Sequence, residues 1–235
     1  TEVDLVQAVH YYQLSANQGY PRAQCNLGLC YELGRGIEKD TAQAVVWYKK
    51  AADQDYPRAM YNYACCIENG DGIEKDMALA FVWYKKSADL GFARAQCVTG
   101  YCYEMGEGTE KDIVKAFEYY QQSAQNGDAV GQCNLGYMYD YGIGTDRDQQ
   151  LAFKWYEASA NQGYARAQCN VGYCYEVGEG VEEDIQKAVE WYLKAAENGD
   201  ANACCNLGNC YEFGKGVRKD YRKAVKWYQK AAEKG

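Results

Sequence analysis

The chain has 235 residues and a formal net charge of -8, with 48% hydrophobic and 25% charged residues. This is globular rather than disordered composition, and with only two prolines it favours helix, so an all-α class is expected. The negative charge and the absence of any Lys or Arg run longer than two argue against a nucleic-acid partner, and no stretch approaches the roughly 18 apolar residues that span a bilayer, which argues against direct membrane insertion.

The sequence repeats itself every 36 residues: YPRAQCNLGLCYELGRGIEKD from Tyr20 returns as YARAQCNVGYCYEVGEGVEED from Tyr164. A half unit at 1–19 precedes six units at 20–55, 56–91, 92–127, 128–163, 164–199 and 200–235. Each unit reads as two short helices. In helix A, Ala23, Leu27, Cys30 and Tyr31 form one apolar stripe, which Gly34 and Gly36 end. Asp40, Asp76, Asp112, Asp148, Asp184 and Asp220 then stand where a carboxylate caps the amides of a second helix, and Asp4 is expected to cap the leading half unit. Helix B carries Ala44, Val45, Tyr48, Ala51 and Ala52 on one face and closes at a glycine such as Gly91, Gly127, Gly163 or Gly199. Trp47, Trp83, Trp155, Trp191 and Trp227 supply bulk for the neighbouring unit. One unit cannot bury this surface alone, so stacking must do it.

These residues resemble the Sel-one-like repeat family, relatives of the tetratricopeptide repeat. The resemblance is carried by Ala23, Leu27, Gly28, Tyr31, Gly34, Gly36, Asp40, Ala44, Trp47, Tyr48, Ala51 and Ala52, and recurs in register through the whole chain. Ala64 and Ile67 depart from it in the second 36-residue repeat, and Gly131 in the fourth. It implies a right-handed α-solenoid of antiparallel helix pairs. It also implies an adaptor that binds proteins in signalling, secretory quality control, cell-wall regulation or host–pathogen contact, with no shared catalytic residue.

At about 100° per residue, the side of helix A opposite its apolar stripe lies near Arg22, Cys25, Leu29 and Glu32. Down the units it presents Arg22, Arg58, Arg94 and Arg166, an acidic column of Glu32, Glu68, Glu104, Asp140, Glu176 and Glu212, and Tyr101, Tyr137 and Tyr173 between them. Beside it stand Asn26, Asn62, Asn134, Asn170 and Asn206, whose amides suit an extended peptide backbone and resemble the asparagine ladder of tetratricopeptide grooves. The expected partner is a protein or extended peptide of mixed charge, bound in a concave groove lined by the A helices. The same columns also fit solvated ion-pair ladders, each pair contributing roughly 0 to 1 kcal/mol.

All twelve cysteines fall on A helices. Cysteine-rich members of the resembled family staple A to B helices, but here the aligned B positions are Ala52, Ala88, Ala124, Ala160 and Ala196. Adjacent A helices about 8 to 10 Å apart exceed the roughly 7 Å Cα limit of a disulfide, so free thiols are expected. Cys30, Cys66, Cys102, Cys174 and Cys210 fall on the buried stripe. Cys25, Cys97, Cys133, Cys169 and Cys205 fall on the open face, with Cys65 near them and Cys204 on the flank. There is no CxxC, and His10 is the single histidine, so neither a metal nor a cofactor is expected. Free thiols favour a cytoplasmic location, with the secretory lumen or periplasm as alternatives. An enzyme is not expected: one histidine cannot serve six thiols, and no serine begins the Ser-x-x-Lys of a penicillin-binding hydrolase. The remaining alternative is an architectural spacer, since a bare helix B at the start and Gly235 at the end read as cut from a longer array, with ends able to self-associate.

Overall fold

The computed structural model describes residues 2–234. Among them are thirteen α-helices and no strand. The B-type helices are α1 (Glu2–Asn17), α3 (Thr41–Ala52), α5 (Met77–Asp89), α7 (Ile113–Gln125), α9 (Gln149–Asn161), α11 (Ile185–Glu197) and α13 (Tyr221–Lys234). Between them lie the A-type helices α2 (Pro21–Leu33), α4 (Pro57–Asn69), α6 (Ala93–Met105), α8 (Ala129–Tyr141), α10 (Ala165–Val177) and α12 (Ala201–Phe213). The chain divides into two compact units, one ending at Asn126 and the other beginning at Gly127.

The punctuation of the sequence explains these boundaries. Asp40 accepts a hydrogen bond from the Gln43 amide at 2.9 Å, and Asp76, Asp112, Asp148 and Asp184 cap α5, α7, α9 and α11 in the same way. Asp128 and Asp200 give α8 and α12 the same cap, where the other A helices begin after Tyr or Phe. Asp4 is different: it lies inside α1, which starts ahead of it. Every A helix stops at a glycine with positive φ, as Gly34 does at 66°, a conformation that costs any residue with a Cβ. Gly235, at the expected end of the array, lies outside the described residues.

The core of each helix pair is a B-helix tyrosine laid across an A-helix glycine. Tyr48, Tyr84, Tyr120, Tyr156 and Tyr192 are among the largest fully buried side chains. A Cβ built on Gly172 would sit 2.6 Å from the Tyr192 ring, so the glycine is there for close approach of the ring. In α4 the same place is taken by Ala64, and Tyr84 leans against Tyr61 with ring centroids 5.5 Å apart.

A second tie joins successive helices. Gln24, Gln96 and Gln168 are buried and donate to the carbonyls of Ala16, Ala88 and Ala160 on the preceding B helix, at 3.1–3.2 Å. Their own amide oxygens accept from Gln54, Asn126 and Asn198 at the end of the following B helix. A buried amide is costly unless it is hydrogen-bonded, and in each of these both the oxygen and the nitrogen have a partner. Met60 and Cys204 replace the glutamine in α4 and α12.

Candidate functional site

The A helices turn their Arg and Tyr columns outward. Arg22, Arg58, Arg94 and Arg166 are exposed, as are Tyr101 and Tyr173, while Tyr137 is half-buried. Asn26, Asn62, Asn134, Asn170 and Asn206 are half-buried, and so are Glu32, Glu68, Glu104, Asp140, Glu176 and Glu212.

Three groups have another role in the structure. Each acidic residue accepts a hydrogen bond from the B-helix tyrosine sixteen residues on: Tyr48 to Glu32, Tyr84 to Glu68 (2.5 Å), Tyr120 to Glu104 (2.7 Å), Tyr156 to Asp140 (3.4 Å), Tyr192 to Glu176 (2.8 Å) and Tyr228 to Glu212 (2.7 Å). Burial first, then the facing carboxylate, pushes the Tyr48, Tyr120 and Tyr192 hydroxyls far above the usual phenol range. The acidic column is therefore a structural clasp before it is a contact surface. Lys215 adds an ion pair to Glu176 at 2.6 Å.

The open-face cysteines are the second correction. Cys25, Cys97, Cys133 and Cys169 are buried, Cys25 to 1% exposure, and only Cys205 of that set is exposed. The helix stripe is wider than the sequence pattern implied, because the next A helix covers this position. Asn62, Asn170 and Asn206 donate back to the sulfurs of Cys25, Cys133 and Cys169 at 3.7–3.8 Å, which is the third change: these amides are partly engaged between repeats. Burial pushes the Cys25 thiol up to about 11 and the Cys133 thiol up to about 12, so both are neutral near pH 7 and poor nucleophiles. All twelve cysteines are free thiols. His10 contacts Tyr11, ring centroids 5.6 Å apart, and among the described residues no three His, Cys, Asp or Glu side chains gather as a metal site.

In the second unit the structure brings six of the expected residues together. Tyr137, Asp140, Arg166, Asn170, Tyr173 and Asn206 line one hollow of about 460 Å³, joined by Tyr141, Tyr156, Cys169, Cys174, Asp200 and Asn202. The Arg166 guanidinium lies 5.9 Å from the Tyr137 ring centroid, and the Tyr137 and Tyr141 rings are 4.6 Å apart. In the first unit Arg22 and Asn26 line a separate cleft of about 410 Å³ with Tyr12 and Tyr20, and Arg58 borders another with Leu90 and Phe92. The sequence reading missed Tyr141, Asp200 and Asn202. Tyr141 stands at a position that varies from repeat to repeat, and Asp200 and Asn202 enter only through the fold.

The architecture is thus that of an all-α helical repeat in which one helix of each pair presents a polar, aromatic face. The Sel1 repeat matches at residues 1–20, 21–56, 57–92, 93–128, 129–164, 165–200 and 201–235, and the chain belongs to that family. A protective antigen of uropathogenic Escherichia coli that displays an SLR fold is similar at 34% identity and TM-score 0.86, with 97% of this chain covered. This chain spans about half of that antigen, 49%. A Sel1 repeat protein from Oxalobacter formigenes is similar at 33% identity and TM-score 0.85, over 98% of this chain and 94% of its own. An immunity protein from Pseudomonas aeruginosa shares the fold at 22% identity and TM-score 0.55, over 97% and 81%. No curated protein matches the chain. Sel1-repeat proteins generally act as protein-interaction scaffolds and are typically non-catalytic. No helix among the described residues is long and apolar enough to cross a membrane.

Proposed function

We propose that the A-helix face of each unit holds an extended segment of a partner protein. The observation that carries this reading is the hollow in the second unit, where exposed Arg166 and Tyr173 stand beside half-buried Asn170 and Asn206. Tyrosine offers contact area at small entropic cost, and amides satisfy a peptide backbone. Guanidinium and carboxylate groups choose orientation and partner.

Charge reversal of the acidic column is a poor probe, because it would break the tyrosine clasp that holds A to B. The exposed heads serve better. Peptides selected from a random displayed library on the whole chain should lose binding at least about tenfold in a variant carrying Arg22→Glu, Arg166→Glu and Tyr173→Ala. Helicity and melting temperature should stay near those of the parent. Retention of all selected peptides by that variant would remove the reading.

A further inference from the structure

The repeat pattern is broken at one place in several ways that point to the same chemistry. Five of the six A helices carry Glu in the acidic column; α8 carries Asp140. The missing methylene shows in the clasp. Tyr156 Oη lies 3.4 Å from Asp140 Oδ2, against 2.5–2.8 Å for the bonds of Tyr84, Tyr120, Tyr192 and Tyr228 to Glu. Burial, reinforced by Glu179, pushes the Asp140 carboxyl above the usual range. Arg147 reaches this residue from outside: its Nε donates to the Asp140 backbone carbonyl at 2.7 Å, while its Nη2 stays 4.0 Å from the Asp140 carboxylate and 3.6 Å from Glu179, and its side chain is 56% exposed.

Around this carboxylate the aromatic content rises. Tyr141 occupies a position that holds Leu33, Asn69, Met105, Val177 and Phe213 in the other A helices. Its ring is 64% exposed and packs beside Tyr137, and Tyr173 lines the same hollow. The arginine column fails here as well. Val130 and Asn202 replace Arg in α8 and α12, so Arg166 is the one cation of that column among α8, α10 and α12, and it is drawn toward Tyr137. Arg166 is not among the charges that shift Asp140. The hollow therefore has an aromatic wall, a carboxylate held short of its hydroxyl partner, and room left by the shorter side chain.

We propose that this hollow is a subsite for one cationic side chain, arginine or lysine, of the bound partner segment. The alkyl stem lies along Tyr141 and Tyr173, the charged head meets ring faces and the Asp140 carboxylate, and the head supplies the donor that Tyr156 does not bring close. The assignment rests on the peptide-binding reading of the A-helix face and gives that face a sequence preference. A glutamate at this position would close the clasp and fill the space.

The test uses the full chain and two small probes, Nα-acetyl-arginine amide and its neutral isostere Nα-acetyl-citrulline amide, titrated by two-dimensional amide NMR. The arginine amide should bind in the millimolar range and move resonances of α8 and α10, and the citrulline amide should bind about tenfold more weakly. Asp140→Asn should weaken the arginine amide about tenfold. Tyr141→Leu, at an exposed position that carries little folding burden, should weaken it about threefold. Equal binding of the two probes, shifts confined to other helices, or unchanged affinity in both variants would overturn the subsite. The library selection separates this failure from that of the wider reading. Peptides that occupy the A-helix face without a basic residue at Asp140 sink the subsite alone. Peptides that bind elsewhere, with the arginine amide still in the hollow, sink the face and leave the subsite standing.

Discussion

The first unit fills the space above its middle tyrosine, and the second unit leaves it open. In α4 two residue types have changed places relative to α6, α8 and α10: Tyr61 stands where those helices carry Cys97, Cys133 and Cys169, and Cys65 stands where they carry Tyr101, Tyr137 and Tyr173. Tyr61 turns inward and sits 5.5 Å from Tyr84 and 5.4 Å from Phe92, ring to ring. In α8 and α10 the small thiols point in, Tyr137 and Tyr173 point out, and the hollow remains between them. The tyrosine clasp recurs in both, close at Glu68 and Glu176 and longer at Asp140. Surface relief in this repeat is thus set largely by the order of a large and a small residue one helical turn apart. The same middle pair of the first unit also trades the buried glutamine tie for Met60, with Leu90 in the same cleft.

The comparison is broken most severely at the glycine beneath the tyrosine. In the second unit, Gly172→Ala places a methyl 2.6 Å from the Tyr192 ring, and overpacking of this kind should cost about 2–3 kcal/mol in urea unfolding. The first unit already carries that methyl at Ala64 and has adjusted around it. There the reverse change, Ala64→Gly, should cost about 1 kcal/mol, from helix propensity and the lost packing of one methyl. Equal costs at the two sites would mean that Tyr84 and Tyr192 sit alike over the helix beneath them.

Much of this frame was legible in the sequence, and for a physical reason. Helix ends depend on local chemistry, so Asp40 and its equivalents, and the glycines after each A helix, announce the boundaries by themselves. The position of a side chain across a helix is legible too, and Arg22, Arg58, Arg94 and Arg166, opposite the apolar stripe, are exposed. What stayed hidden depends on the neighbour. Cys25 and Cys169 look exposed on an isolated helix and are buried because the next A helix lends an asparagine to cover them. Glu104 and Glu176 look like free contact residues and are tied to tyrosines sixteen residues away. Gln24, Gln96 and Gln168 give no signal, because a glutamine in a polar stretch carries no sign that its amide oxygen and nitrogen will both find partners inside.

The clasp offers a smaller contrast. Tyr84→Phe removes a hydroxyl that donates to Glu68 at 2.5 Å and also contacts the Cys65 sulfur at 3.2 Å, leaving a half-buried carboxylate short of its donor. A loss of about 1–2 kcal/mol is expected. Tyr156→Phe removes only the 3.4 Å contact to Asp140 and should cost less than about 0.5 kcal/mol. If Tyr156→Phe proves as costly as Tyr84→Phe in matched unfolding curves, Asp140 is well satisfied by its tyrosine and has no need of an incoming cation.

The smallest effect lies in the turns after the B helices. Gly19, Gly91, Gly127, Gly163 and Gly199 hold φ between 86° and 99° there, and the aligned residue after α3 is Asp55 at φ 56°. Aspartate reaches the left-handed region only near that lower value, so this one turn has been pulled toward the conformation an L-residue tolerates. Asp55→Gly should stabilise the first unit by no more than about 0.5 kcal/mol, because relief of the strained φ is partly offset by the greater freedom of glycine in the unfolded chain. Gly163→Asp in the second unit should cost about 1 kcal/mol, since φ must fall from 87° before the side chain fits. A gain at Asp55 as large as the loss at Gly163 would show that the turn after α3 is strained rather than adapted, and melting curves of the two single variants decide it.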